Sequence, residues 1–140
     1  MTNYNEYLEF DNGEYKEQQE KIMDKIKFSP ENIESIKSIN GKTLKIIAQP
    51  YCPDCRALVA VLENMIKIND NIDITYVVRQ DGTDYRLPTI IINDKMVFVE
   101  FPKKVKEIME VDSDKDSIIY NYRTGKYNKE LIEELIDILI

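Results

Sequence analysis

Two cysteines set three residues apart, in a chain of 140 residues that contains no histidine, constrain this sequence more than any other feature. Without histidine, Ser-His-Asp and Cys-His catalysis are excluded and the commonest zinc ligand is missing. Zinc takes four ligands, so Cys52 and Cys55 would complete a site only by pooling with a second copy in a dimer. In a reducing compartment, two thiols at this spacing read as catalytic rather than structural.

The residues around the pair sharpen that reading. Residues 43–48 (TLKIIA) form a short apolar run, read as a buried strand. Gln49-Pro50-Tyr51 ends it, and residues 53–68 follow a wide apolar helical pattern through Leu58, Val61, Leu62 and Met65. Tyr51-Cys52-Pro53-Asp54-Cys55 therefore joins a strand to the first turn of a helix. Cys52 falls at or near the N-cap, where unpaired backbone N–H groups and the positive end of the helix dipole favour a thiolate. Cys55 lies about one turn on, in reach of a disulfide. Pro53 suits the first helical position, where its missing N–H costs nothing. Asp54 opposes the dipole favourably, but its charge raises the Cys52 pKa. Arg56 is a candidate to offset that charge, against the simpler reading of a solvated helix residue.

Elsewhere the pattern is mixed. Residues 14–27 place Tyr15, Ile22 and Ile26 on one helical face, and Ser29-Pro30-Glu31 reads as a cap, a first-position proline and a first-turn acid. The helix it opens carries Ile33, Ile36 and Ile39 and stops at Asn40-Gly41. Residues 72–78 alternate, with Ile72, Ile74, Tyr76 and Val78 on one face. Residues 89–92 and 96–101 read as a hairpin joined by Asn93-Asp94-Lys95. A helix over 102–109 follows. Ser113 and Asp116 then suggest a capping box for an amphipathic stretch closing near Gly125, with a strand over 118–122 as the competing reading. Asn128 is expected to cap a last helix over 129–140, with Leu131, Leu135, Ile138 and Leu139 as its core face.

Net charge is −7, with acids spread along the chain. No basic stripe is available to a phosphate backbone, which argues against nucleic acid. No stretch reaches the length of a membrane span, and the N-terminus has neither the basic start nor the apolar centre of a signal peptide. The expected location is the cytoplasm.

Strand, Tyr-Cys-x-x-Cys, helix, and then Leu87-Pro88-Thr89 downstream resemble the thioredoxin superfamily. That resemblance implies a cis proline at Pro88 facing the active-site disulfide, with neighbouring backbone pairing to the substrate chain. It implies substrate contacts at Tyr51, Pro53, Asp54, Leu87, Pro88 and Thr89. Taken alone, Leu87-Pro88-Thr89 could equally open an edge strand. The Pro-Asp dipeptide resembles thioredoxin-related cytosolic reductases and some bacterial thioredoxin-like proteins. The Cys-Pro-x-Cys form and the short hairpin also resemble glutaredoxins. Two positions depart from these groups. Thioredoxins carry a buried acid six residues before the first cysteine, where this chain has Ile46. Glutaredoxins hold glutathione with Gly-Gly and then a Ser/Thr-Asp pair, where this chain reads Val97-Phe98-Val99-Glu100-Phe101. The stretch from Val78 to Pro88 is short for the helix often found there.

The expected fold is α/β: a thioredoxin-like mixed central sheet of about four strands flanked by helices, behind an N-terminal helical extension. The chain is expected to form one domain, with residues 1–42 as the extension and 43–140 as the core. The expected function is thiol–disulfide exchange with Cys52 attacking and Cys55 resolving, serving cell redox homeostasis without a bound cofactor or metal. Its partners would be disulfide-containing proteins or small molecules and an external thiol reductase system, the chain acting as a monomer. A glutathione-linked enzyme and a non-catalytic binding module on the same fold are the alternatives.

Overall fold

The strand β1 (Lys42–Ala48) organises the molecule. Leu44, Ile46 and Ala48 are buried on one side and Ile47 on the other, so β1 is covered on both faces by the time it reaches its C-terminal end. The computed structural model describes residues 3–78 and 85–140. It forms one mixed four-stranded sheet in the order β2-β1-β3-β4, flanked by helices. β2 (Ile72–Val78) runs parallel to β1, reached through the helix α4 (Pro53–Ile68) as a strand–helix–strand crossover. β3 (Thr89–Ile92) lies antiparallel on the other side of β1, and β4 (Lys95–Val99) closes the edge as a hairpin. The α/β expectation holds in its sheet and in its flanking helices.

Helix α4 is apolar almost all round because it is buried almost all round. Leu58, Val59, Ala60, Val61, Leu62 and Met65 are all buried. It packs against α2 (Lys16–Met23), α3 (Pro30–Lys37), α6 (Lys115–Arg123) and α7 (Asn128–Leu139). Asn69, just past its end, is a buried pin. Its amide donates to the carbonyls of Ile36 and Ile39, each at 2.8 Å, and its oxygen accepts from the Asn71 N–H at 3.0 Å. These bonds hold the end of α3 against the start of β2.

Several local expectations are corrected. The N-terminal residues carry a helix, α1 (Tyr4–Leu8), that hydrophobic periodicity does not reveal. Asn3 and Glu6 form a reciprocal capping box there, and Tyr7 stacks on Tyr76 of β2 with ring centroids 4.7 Å apart. A 3₁₀ turn (Phe10–Gly13) follows. Helix α2 covers only Lys16–Met23, within the expected 14–27. Ile26 is buried beyond its end, where tight turns close on Ile22 and Met23. The Ser29 cap and first-position Pro30 of α3 are as expected.

The hairpin turn has two residues rather than three. Asn93 and Asp94 both have positive φ (51° and 65°), the geometry a tight hairpin requires, and Lys95 already pairs with Ile92. A bulge near Val97 shifts the register, and β4 stops at Val99. Glu100 turns left-handed there (φ 65°) and donates its N–H to the Pro88 carbonyl at 2.8 Å. Next, α5 (Lys103–Val111) starts behind Pro102, its first N–H accepted by the Glu134 carboxylate of α7 at 2.7 Å.

Residues 118–122 are helical within α6, not a strand. Asp114 caps that helix through the Ser117 N–H, displacing the Ser113–Asp116 box expected there. Asn128 is the first residue of α7 rather than its cap; Tyr127 occupies the cap position without a side-chain bond. Most of the connection from Val78 to Pro88 lies outside the described residues. Among the described residues, no helix is long and apolar enough to cross a membrane.

Candidate active site

The chain leaves β1 at Ala48, turns at Gln49-Pro50 and presents Tyr51, 44% exposed, before α4 begins. The turn is fixed at two points. The Cys52 N–H donates to the Gln49 carbonyl at 3.1 Å, and the Arg56 guanidinium donates to the Pro50 carbonyl at 2.7 Å. Arg56 also lies 5.5 Å above the Tyr15 ring. It therefore braces the loop and does not pair with Asp54.

Cys52 is the N-cap of α4, with extended backbone (φ −83°, ψ 116°), and Pro53 follows at the first helical position. The Cys52 sulfur accepts the Cys55 N–H at 3.3 Å, the role an oxygen plays in an ordinary cap. Cys52 is half-buried, and Cys55 is fully buried. Their acidities separate. A hydrogen bond from the Cys55 thiol lowers the Cys52 pKa to about 7; backbone N–H groups of Cys55 and Asp54 add to this, while burial and the Asp54 charge oppose it. Burial first, then the bond to Cys52 and its charge, push the Cys55 thiol well up. One sulfur is thus half-buried and acidic, the other enclosed and protonated.

Asp54 is 8% exposed and does not stand alone. Arg123, at the end of α6, donates Nε to Oδ1 at 2.8 Å and a terminal nitrogen to Oδ2 at 3.2 Å, a two-pronged pair. Sequence reading missed this residue. The partners are 69 positions apart, and Arg123 sits in no motif.

Leu87-Pro88 is a cis peptide, and Pro88 is buried. Thr89 pairs antiparallel with Ile47, so Pro88 enters the sheet at the end where β1 hands over to the cysteine loop. The Thr89 hydroxyl donates to the Arg86 carbonyl at 2.6 Å, and Arg86 pairs with Glu100 at 2.8 Å. Leu87 is half-buried against the core. A cavity of about 340 Å³ lined by Tyr85, Arg86, Thr89, Met96 and Val99 adjoins this corner. A larger one, about 740 Å³, opens between α1, α2 and α4 and is lined by neither cysteine.

Ile46 is fully buried, and an apolar side chain carries no desolvation cost there. Two phenols that sequence reading did not single out occupy the interior near the pair. Tyr7 and Tyr122 are buried, and neither hydroxyl has a hydrogen-bond partner among the described residues. Both are held neutral, chiefly by burial. At the end of β4 and just past it, Phe98 and Phe101 are buried, Phe101 edge-on to Tyr122, and Glu100 is paired with Arg86. Among the described residues, no cluster of three or more acids and cysteines is placed to hold a metal ion.

A family model described as Thioredoxin matches residues 1–117. The chain belongs to this thioredoxin family. The matched stretch takes in the N-terminal helices together with both cysteines and Pro88. No curated protein matches the sequence. Two solved structures share the fold. An HIV epitope-scaffold superposes with a TM-score of 0.74 at 16% identity, covering 96% of this chain and 90% of the other. A Pseudomonas aeruginosa protein of unknown function gives a TM-score of 0.69 at 17% identity, covering 99% and 97%. A thioredoxin-type fold with a Cys-x-x-Cys pair at a helix start is consistent with thiol–disulfide redox chemistry.

Proposed function

We propose that this protein is a thiol–disulfide oxidoreductase that reduces protein or small-molecule disulfides through Cys52 and Cys55. The observation that carries the reading is the asymmetry of the pair: an accessible sulfur, lowered to about pKa 7 at a helix cap, beside an enclosed thiol held protonated. The Cys52 thiolate attacks one sulfur of the substrate disulfide. A Cys52–substrate bond forms, the substrate S–S bond breaks, and one substrate thiolate leaves. Cys55 then gives up its proton to the leaving thiolate or to water and attacks the Cys52 sulfur. The second substrate thiolate departs, and the Cys52–Cys55 disulfide remains. Two electrons have passed to the substrate, and an external thiol reductase system returns them.

In this reading Tyr51 and Pro53 on one side, and Leu87 and Pro88 on the other, frame the substrate's approach, with the buried side chains of Asp54 and Thr89, first expected to touch substrate, bracing them from behind. The setting is a reducing compartment such as the cytoplasm, and the chain works as a monomer. Residues 97–101, with Phe98 and Phe101 buried and Glu100 paired with Arg86, support direct disulfide substrates over glutathione. The test is reduction of a model disulfide by the dithiol-loaded protein. Cys52→Ser should abolish turnover, and Cys55→Ser should accumulate a mixed disulfide visible by mass. Full activity in Cys52→Ser would end the proposal.

A further inference from the structure

We propose that Arg123 is a positioning residue that, by neutralising Asp54, sets how readily Cys52 acts as a nucleophile. The inference rests on the reading of Cys52 as the attacking thiol. It starts from a conflict written into the motif. Asp54 sits two residues after Cys52, buried at the first turn of the same helix, where an unpaired carboxylate would oppose a neighbouring thiolate. The fold resolves the conflict from a distance. Helix α6 packs on α4 and ends at Arg123, whose guanidinium forks onto both Asp54 oxygens at 2.8 and 3.2 Å.

The geometry favours an electrostatic role over a simple clasp between helices. The Asp54 side chain is 11% exposed, so solvent screens its charge poorly, while Arg123 is 41% exposed and retains its charge at little cost. The Cys52 charge also reaches Arg123 directly. The other groups around the pair do not substitute for it. Arg56 is committed to the Pro50 carbonyl and the Tyr15 ring. Tyr7 of α1 and Tyr122 of α6 are neutral phenols. Glu134 of α7, whose charge reaches Tyr122, is negative. Arg123 is thus the cation that meets Asp54 among the described residues.

The test is a double-variant cycle on the full chain, read by the pH dependence of Cys52 alkylation in the reduced protein and by the reduction potential of the pair. Arg123→Met should raise the Cys52 titration midpoint. A rise of about one unit cuts the thiolate fraction at pH 7 about fivefold, and alkylation slows to match. The potential should become more negative, because the reduced form loses stabilisation. Asp54→Asn should move both readings the opposite way. In an Asp54→Asn background the exposed guanidinium loses the carboxylate that holds it beside the pair and swings into screening solvent, so Arg123→Met should shift both readings much less than it does in the parent. Arg123→Lys should recover most of the parent midpoint. An Arg123→Met midpoint equal to the parent's, or an equal Arg123→Met shift with and without Asp54, overturns the proposal. Should Arg123→Met fail to fold, Asp54→Asn and Arg123→Lys carry the test: an Asp54→Asn midpoint at or above the parent's refutes it. Alkylation needs no turnover, so a chain inactive on disulfides would leave this result readable while sinking the functional reading.

Discussion

The Cys55 backbone points its N–H at the Cys52 sulfur from 3.3 Å, while its own side chain is sealed from solvent. One residue therefore does two opposite things: it stabilises its neighbour's charge and suppresses its own. Alkylation of the reduced protein should follow a single titration with a midpoint near pH 7, assigned by mass to Cys52. Cys55 should react only after unfolding. Equal labelling of both thiols in the native state would contradict the burial on which this rests.

The same pair gives the reduced protein a signed pH dependence. Between pH 7 and 9 the folded Cys52 has lost its proton while the unfolded one keeps it, so stability should rise with pH across that window. Above 9 the raised Cys55 acts the other way, since unfolding lets it ionise, and its contribution is lost. Urea midpoints of the reduced parent, Cys52→Ser and Cys55→Ser, each measured across this range, separate the two. A Cys52→Ser protein with an unchanged slope between pH 7 and 9 would refute the assignment.

Asn69 offers a prediction about the scaffold. Asn69→Ala takes one bond each from the Ile36 and Ile39 carbonyls and the Asn71 N–H, of which Ile36 keeps the Ile39 N–H, and should cost about 1–3 kcal/mol. Urea unfolding measures the loss. Cys52 should keep its midpoint in the folded fraction, because the pin lies at the opposite end of α4. A cost below about 0.5 kcal/mol would show that those carbonyls find other partners easily.

Tyr7 separates ring from hydroxyl. Tyr7→Ala removes a fully buried ring stacked on Tyr76 and should destabilise by about 3 kcal/mol or more. Tyr7→Phe keeps the ring and deletes a hydroxyl without a partner, so it should be neutral or stabilising by about 1 kcal/mol. If Phe costs as much as Ala, the hydroxyl is bonded after all.

Glu63 accepts the Tyr76 hydroxyl at 2.6 Å, yet burial raises its pKa. A raised acid holds its proton more tightly folded than unfolded, so its contribution to stability falls as pH climbs above 4.5. Glu63→Gln keeps an acceptor for Tyr76 and removes the charge. It should flatten the stability profile on the acid side in thermal or urea unfolding, and an unaltered profile would refute this.

What could be read from the chain followed from where the physics is local. β1, α4, the Ser29-Pro30 cap and the hairpin announce themselves by apolar runs, caps and turn residues a few positions apart. So does Cys52 at the head of α4. The short helix α1 was invisible because its two buried residues, Tyr7 and Leu8, sit among polar neighbours, with too little length for a period. Asp114 and Tyr127 took cap positions from Ser113 and Asn128 by one residue each, within the looseness of helix ends. Arg123 lay beyond reach for a different reason. Its meaning depends on how α6 packs, and a lone arginine carries no mark of the carboxylate it will meet.

The enclosure of Cys55 also bears on damage. An oxidant arriving from solvent meets Cys52 first and converts it to a sulfenic acid. The neighbouring thiol can condense with that group, forming the Cys52–Cys55 bond and releasing water. The lesion is diverted into a reducible state before it reaches the irreversible acids. A wall of packed side chains around one sulfur thus serves as insurance for the other.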